Sequence, residues 1–183
     1  VECAIRVAKY LGIDTENWQS LSADICADIR ANGYSERTKT YVAAYDLEHT
    51  DAALAWLVLS GFHEIDEAGV MRTLEKIEEE LSDDNWVYRY RMADGLPGRE
   101  GAFLVCGAWL AEAWIRLGRM DKAQRFLDGL EKAAGSLGLM SEEYDVVTGT
   151  ALGNYPQLLS HIGVINCAVA LERKGAQKAA RKR

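Results

Sequence analysis

The chain has 183 residues, 49% of them apolar and 27% charged, with a formal net charge of −7. That length and apolar content suffice for one globular core, while the interleaving of acids with bases disfavours a nucleic-acid partner, which needs a concentrated basic surface. No run approaches the roughly 18 apolar residues expected of a membrane span.

In chain order, residues 3–11 read as an apolar helix. Trp18, Leu21, Ile25 and Ile29 then recur at steps of three and four, which predicts a helix with one buried face. A long connection, 33–50, follows, with an extended piece expected at 40–43, where β-branched and aromatic residues concentrate. Residues 52–59 are apolar nearly all round, the pattern of a helix covered on every side. After a short link at 61–65, a second one-faced helix is marked by Val70, Met71, Leu74, Ile77 and Leu81. The connection 83–101 is long and carries a second extended piece, 86–90. Residues 102–117, with Trp109 and Trp114, are again apolar all round, and the link 118–120 leads to a third one-faced helix with Ala123, Phe126, Leu127 and Leu130. A third long connection, 135–155, precedes a last apolar segment, 158–171. The basic tail, 174–183, reads as a solvated, frayed end.

The order is thus inner, outer, inner, outer, inner, outer, inner: an all-α fold of about seven helices, in which Ile65-Asp-Glu-Ala68 and Met120-Asp-Lys-Ala123 open equivalent outer helices. That repeat is longer than the roughly 34-residue tetratricopeptide unit and suits helical hairpins arranged as an α/α toroid. Links from inner to outer helices are short and those from outer to inner are long. The long loops therefore leave one end of the scaffold, where binding and chemistry concentrate. Cys3, Cys26, Cys106 and Cys167 lie far apart without a C-x-x-C pair, so buried reduced thiols are expected and a cytoplasmic setting fits.

The third connection contains Met140-Ser-Glu-Glu-Tyr-Asp145 and Gly153-Asn-Tyr-Pro-Gln157, followed by Ser160-His161. The second contains Val87-Tyr-Arg-Tyr90 and Glu100-Gly-Ala-Phe-Leu104. These separated motifs, in this order, resemble glycoside hydrolase family 15, which includes glucoamylases, glucodextranases and certain trehalases. Tyr155 stands where the family usually has Phe. In the first connection Asp51-Ala52 matches a run common in bacterial relatives, while Asp46 and His49-Thr50 depart from it.

The resemblance implies that residues 1–173 are the C-terminal part of an (α/α)6 catalytic domain that inverts configuration as it releases glucose from the non-reducing end of α-linked glucosides. It maps the general base to Glu142, an ionised carboxylate that takes a proton from the attacking water. Arg89 maps to a substrate-binding arginine whose planar fork suits adjacent hydroxyls; the competing reading is an ion pair with Asp94 or Glu100. Glu143, Tyr144, Asn154, Gln157 and His161 are candidate site walls, His161 being alternatively a core histidine; Glu100 either faces the sugar or favours the positive end of the helix that follows it, and Trp86 is the candidate for stacking on sugar. Glucoamylase-like and trehalase-like activities both follow, with an α-linked glucose oligosaccharide or disaccharide as substrate and no metal or other cofactor.

The family's general acid maps to a Trp-Glu stretch upstream of Val1, so the chain alone is expected to be inactive. Uncovered inner-helix surface predicts self-association. A helical-repeat interaction module is the rival reading; the long, unequal loops with their Arg, aromatic and paired acidic residues count against it.

Overall fold

A computed structural model describes residues 1–62, 66–92, 95 and 100–180, without the side chains of 177–180. Among them are helices α1 (Glu2–Tyr10), α2 (Glu16–Asn32), α3 (Trp56–Leu59), α4 (Glu67–Leu81), α5 (Leu104–Arg116), α6 (Met120–Ala134) and α7 (Leu158–Ala180). The loops hold short strands: β1 (Tyr34–Ser35), β2 (Thr40–Tyr41), β3 (Ser82–Asp83), β4 (Trp86–Val87), β5 (Ala102–Phe103), β6 (Glu143–Asp145) and β7 (Thr150–Leu152). The fold is all-α, with no helix of the described residues long and apolar enough to cross a membrane.

The core centres on α5, which packs along both α6 and α7. Its residues from Leu104 to Ile115 are almost all buried, including Trp114 and Glu112, as its all-round apolar sequence predicts. Glu112 is tolerated inside because the Arg116 guanidinium donates to its Oε1 from Nε (2.9 Å) and Nη2 (2.5 Å); a buried carboxylate without such a partner would be costly. The same guanidinium donates from Nη1 to the carbonyl of Leu59 (3.1 Å), tying α5 to the end of α3. On the other side α7 crosses α5 so closely that a Cβ on Gly163 would stand 2.5 Å from the Cβ of Ala108. Beside this crossing the Cys167 thiol reaches the Ala108 carbonyl at 3.3 Å.

The outer helix α4 buries its predicted stripe: Val70, Leu74 and Ile77 are fully covered and Leu81 nearly so, each contributing roughly 1.5–3 kcal/mol. Asp66 caps its start by accepting from the Gly69 N–H (3.1 Å). Neighbouring α6 buries Ala123, Phe126 and Leu130, and Glu78 of α4 bridges to Lys122 (3.4 Å) and Arg125 (3.0 Å) of α6.

The structure departs from the periodicity in several places. The segment 52–59 opens as a 3₁₀ helix, Ala52–Ala55, before α3, and Trp56 is half exposed. Helix α2 forms as predicted but buries no residue; Trp18, Leu21 and Ile25 of its stripe are 41–49% exposed. Helix α1 buries only Ile5 and Ala8. Helix α7 covers Ser160, Cys167 and Ala170 while Leu158, Leu159, Ile162 and Ile165 face out. An all-round apolar helix is covered on every side only where neighbours stand on every side, and α1, α2 and α7 have too few among the described residues. The tail is helical as far as Ala180, extending α7 instead of fraying at 174. Of the cysteines, Cys106 and Cys167 are buried with thiols pushed up to about 12 mainly by desolvation, while Cys3 is exposed and Cys26 half-buried.

The long connections contain the expected strands β2 and β4, antiparallel to β1 and β3 respectively. They also contain a three-stranded sheet, β5-β6-β7, that periodicity did not indicate.

Candidate active site

The loop of residues 135–157 is fastened to the start of α7. Met140 accepts from the Gln157 N–H (2.8 Å) and the buried Ser160 hydroxyl donates to the Ser141 carbonyl (2.8 Å). His161 joins the same patch: its Nε2 accepts from the Met140 N–H (3.4 Å), which leaves Nδ1 to donate to the Gln157 carbonyl (2.7 Å). Gln157 and His161, expected among the site walls, are engaged in holding this loop. The Tyr155–Pro156 peptide is cis.

From that anchor the chain enters β6, paired on one side with β5 (Ala102 opposite Tyr144, Phe103 opposite Glu143) and on the other with β7. The second and third long loops are therefore one sheet. At the far end of the β6–β7 hairpin, Asp145 accepts from the Val147 N–H (2.9 Å) and the Thr148 hydroxyl (2.7 Å), an Asx turn that closes the hairpin.

Glu142 stands just before β6 and is bracketed by its backbone. Its carbonyl accepts from the Leu104 N–H (3.1 Å), the first residue of α5, and its N–H donates to the Asn154 carbonyl (2.9 Å). The Leu104 N–H is one of the unpaired donors of a helix start, so α5 itself fixes this residue. The half-buried Glu142 side chain turns back on the stretch that follows β7: Oε2 accepts from both the backbone N–H (3.1 Å) and the Nδ2 (2.8 Å) of Asn154. Among the described residues Oε1 takes no hydrogen bond.

Glu143 is different. Its Oε2 accepts from the Gly101 N–H (2.8 Å), across the sheet. Burial raises its carboxyl above the ordinary value, the Gly101 hydrogen bond opposes this, and repulsion from Glu100 and Glu142 adds to it. Glu100 is exposed beside Gly101 and close enough to act on Glu143.

The Tyr144 ring lies flat on Trp86, with centroids 4.1 Å apart and planes 8° from parallel. Trp86 is only 6% exposed, and the Lys132 ammonium sits 5.7 Å from its ring centroid. This corrects the expectation for Trp86: its ring supports Tyr144 and offers no open face for a sugar. Tyr144, half-buried, is the aromatic residue at this spot that reaches solvent.

Arg89 follows β4, its side chain about half exposed, and its carbonyl accepts from the Ala52 N–H (2.8 Å). Its Nε lies 3.8 Å from Oδ2 of Asp51. Of the two ion-pair partners expected, Asp94 lies outside the described residues, and the carboxylate actually beside Arg89 is Asp51, from the first loop. Asp51 also caps the 3₁₀ turn by accepting from the Ala53 N–H (2.7 Å). The match of Asp51-Ala52 to a family run was the only sign of it in the sequence. All three long loops thus meet: the first on the second at Ala52 and Arg89, and the second on the third through β5–β6 and Trp86–Tyr144.

Comparison with known proteins gives this arrangement a family. The model of the glycosyl hydrolases family 15 matches residues 1–169. A trehalase of Thermoplasma volcanium is 39% identical over 174 residues, covering 93% of this chain and 28% of that protein. A trehalase of Mycobacterium tuberculosis is 35% identical over 161 residues, covering 86% and 24%. The chain therefore spans about a quarter of the length of these curated relatives. Among solved structures, a wild-type glycosidase superposes with a TM-score of 0.73 at 20% identity over 84% of this chain and 44% of its own. A variant glycosidase in complex with glucose does so with a TM-score of 0.73 at 19% identity and the same coverage. The fold is accordingly part of an (α/α)6 toroid.

Proposed function

Because this chain belongs to the glycosyl hydrolases family 15, we propose that in its full-length protein it supplies the general base of an inverting α-glucosidase whose substrate is α,α-trehalose. The observation that carries this reading is Glu142: a half-buried carboxylate with one oxygen held by Asn154, beside the β5–β6 pairing that joins the second and third loops. Trehalose is preferred to maltose-type glucans because the relatives at 35–39% identity are trehalases.

In the proposed step a water between Glu142 and the sugar attacks the anomeric carbon opposite the leaving group. Its proton passes to the Glu142 carboxylate, the bond from the anomeric carbon to the bridging oxygen breaks, and a second carboxylic acid protonates that oxygen. Inverting pairs stand roughly 6.5–9.5 Å apart to admit the water, and the acid belongs to a part of the protein outside these 183 residues. One β-glucose and one α-glucose result. Arg89, oriented by Asp51, donates to hydroxyls of the bound glucose, with Tyr144, Glu100 and Glu143 beside them. Trp86 backs Tyr144.

The test uses the full-length protein with trehalose, maltose and isomaltose, following the released anomers by NMR. Trehalose is expected to be cleaved fastest, with β- and α-glucose appearing in equal amounts. Glu142→Gln should lower kcat about 10²–10⁴-fold, and the 183-residue chain alone should release no glucose. Release of α-glucose only, or a Glu142→Gln protein near full activity, would overturn the assignment; faster cleavage of maltose would keep the base and move the substrate to malto-oligosaccharides.

A further inference from the structure

Beyond the base itself, the geometry points to Asn154 as a positioning residue that dictates which oxygen of Glu142 receives the proton, an inference that rests on the reading of Glu142 as base. Two donors of one residue, the backbone N–H and Nδ2 of Asn154, converge on the same oxygen, Oε2, at 3.1 and 2.8 Å. The return bond from the Glu142 N–H to the Asn154 carbonyl (2.9 Å) closes the pair into a clamp, so side chain and backbone of the two residues are locked together. Charge-assisted bonds of this kind are the strong ones, and a carboxylate held by two of them loses most of its rotamer freedom.

The clamp explains the residue before it. Gly153 has φ +70°, a left-handed conformation that favours glycine, and a Cβ there would stand 2.8 Å from Oε2 and 3.0 Å from the Cβ of Glu142. A residue without a side chain lets the stretch after β7 approach the carboxylate this closely without displacing it. With Oε2 occupied, Oε1 is the oxygen left to meet water. A base held in one orientation presents its free lone pairs along one direction, which is what an in-line attack requires. The amide also acts by being neutral: an acid at 154 would set a second negative charge against Glu142.

This last point separates positioning from mere structural support. Asn154 is exposed, and Asn154→Asp preserves its size and its backbone N–H while replacing the Nδ2 donor by a charged oxygen. In the full-length enzyme, Asn154→Ala is expected to lower kcat for trehalose about ten- to a hundredfold with KM within about twofold. Asn154→Asp should be worse still at neutral pH, and the acid limb of its kcat/KM profile should move to higher pH, because a like charge disfavours the ionised base. Thermal unfolding of both variants checks that they are folded.

If Glu142→Gln is inactive while Asn154→Ala keeps the wild-type kcat, or Asn154→Asp matches or exceeds Asn154→Ala with an unmoved acid limb, the role of Asn154 is overturned and that of Glu142 stands. If Glu142→Gln retains activity, the assignment of the base fails, and this inference with it.

Discussion

Helices α4 and α2 are both outer helices with an apolar stripe at steps of three and four, yet one stripe is sealed and the other open. Leu74 of α4 is 0% exposed and Leu21 of α2 is 49% exposed. The difference lies in what stands opposite. Helix α4 is backed by the 3₁₀ turn and β2 and flanked by α6 through Glu78, whereas among the described residues α2 meets chiefly α1 and β1, with Cys26 and Ile29 reaching the core and Tyr45 of the first loop donating to Asp28. A stripe in a sequence thus records a partner without saying where that partner is. Here much of the stripe of α2, like the outer side of α7, is open surface among the described residues.

The sharpest test of that contrast is a matched pair of truncations in the 183-residue chain. Leu74→Ala should cost about 2–5 kcal/mol of unfolding free energy and Leu21→Ala no more than about 0.5 kcal/mol, as read from urea unfolding. Equal losses would mean that α2 is packed in solution after all. A smaller effect is expected from the open stripe acting between molecules. Light scattering should show an apparent mass that rises with concentration, and Leu21→Lys with Ile25→Lys should weaken the association at least about tenfold, a change of about 1.4 kcal/mol. A concentration-independent monomer would break the comparison from the other side.

The smallest effect concerns the half-buried Glu143 in the loop sheet. Glu143 is held above its ordinary value by burial, so it favours the folded state while protonated. That contribution is present below the unfolded-state value and is lost as pH rises through the folded-state one. Glu143→Gln mimics the protonated acid; it should therefore be slightly more stable than the parent at neutral pH and indistinguishable from it in acid, as measured by urea unfolding at both. A variant less stable at neutral pH would show that the Gly101 hydrogen bond outweighs burial.

These contrasts also explain what could be read from the residues alone. The stripes of α4 and α6 and the all-round apolar α5 are local patterns with a fixed period, and they appeared where expected. The motifs placed Glu142, Glu143, Tyr144 and Arg89 in the loops that do converge. The pairing of β5 with β6 joins Phe103 to Glu143 across forty residues of sequence, and two- or three-residue strands have no period long enough to detect. For the same reason Trp86 looked like an open aromatic surface: only the fold brings Tyr144 onto it. The Asp51 beside Arg89 was hidden in the same way, because a carboxylate's partner across a loop junction leaves no trace in spacing.

The β5–β6–β7 sheet has a consequence for anyone wishing to alter the specificity of such a protein. Since Phe103 pairs with Glu143 and Leu104 donates to the Glu142 carbonyl, any change that moves β5 also moves the carboxylate in the third loop. The two loops and the first turn of α5 therefore form the smallest transplantable cassette. The first loop is attached to them through the Ala52 amide and Asp51 and to α4 through the Tyr41 N–H and Thr73, so it goes with its helix.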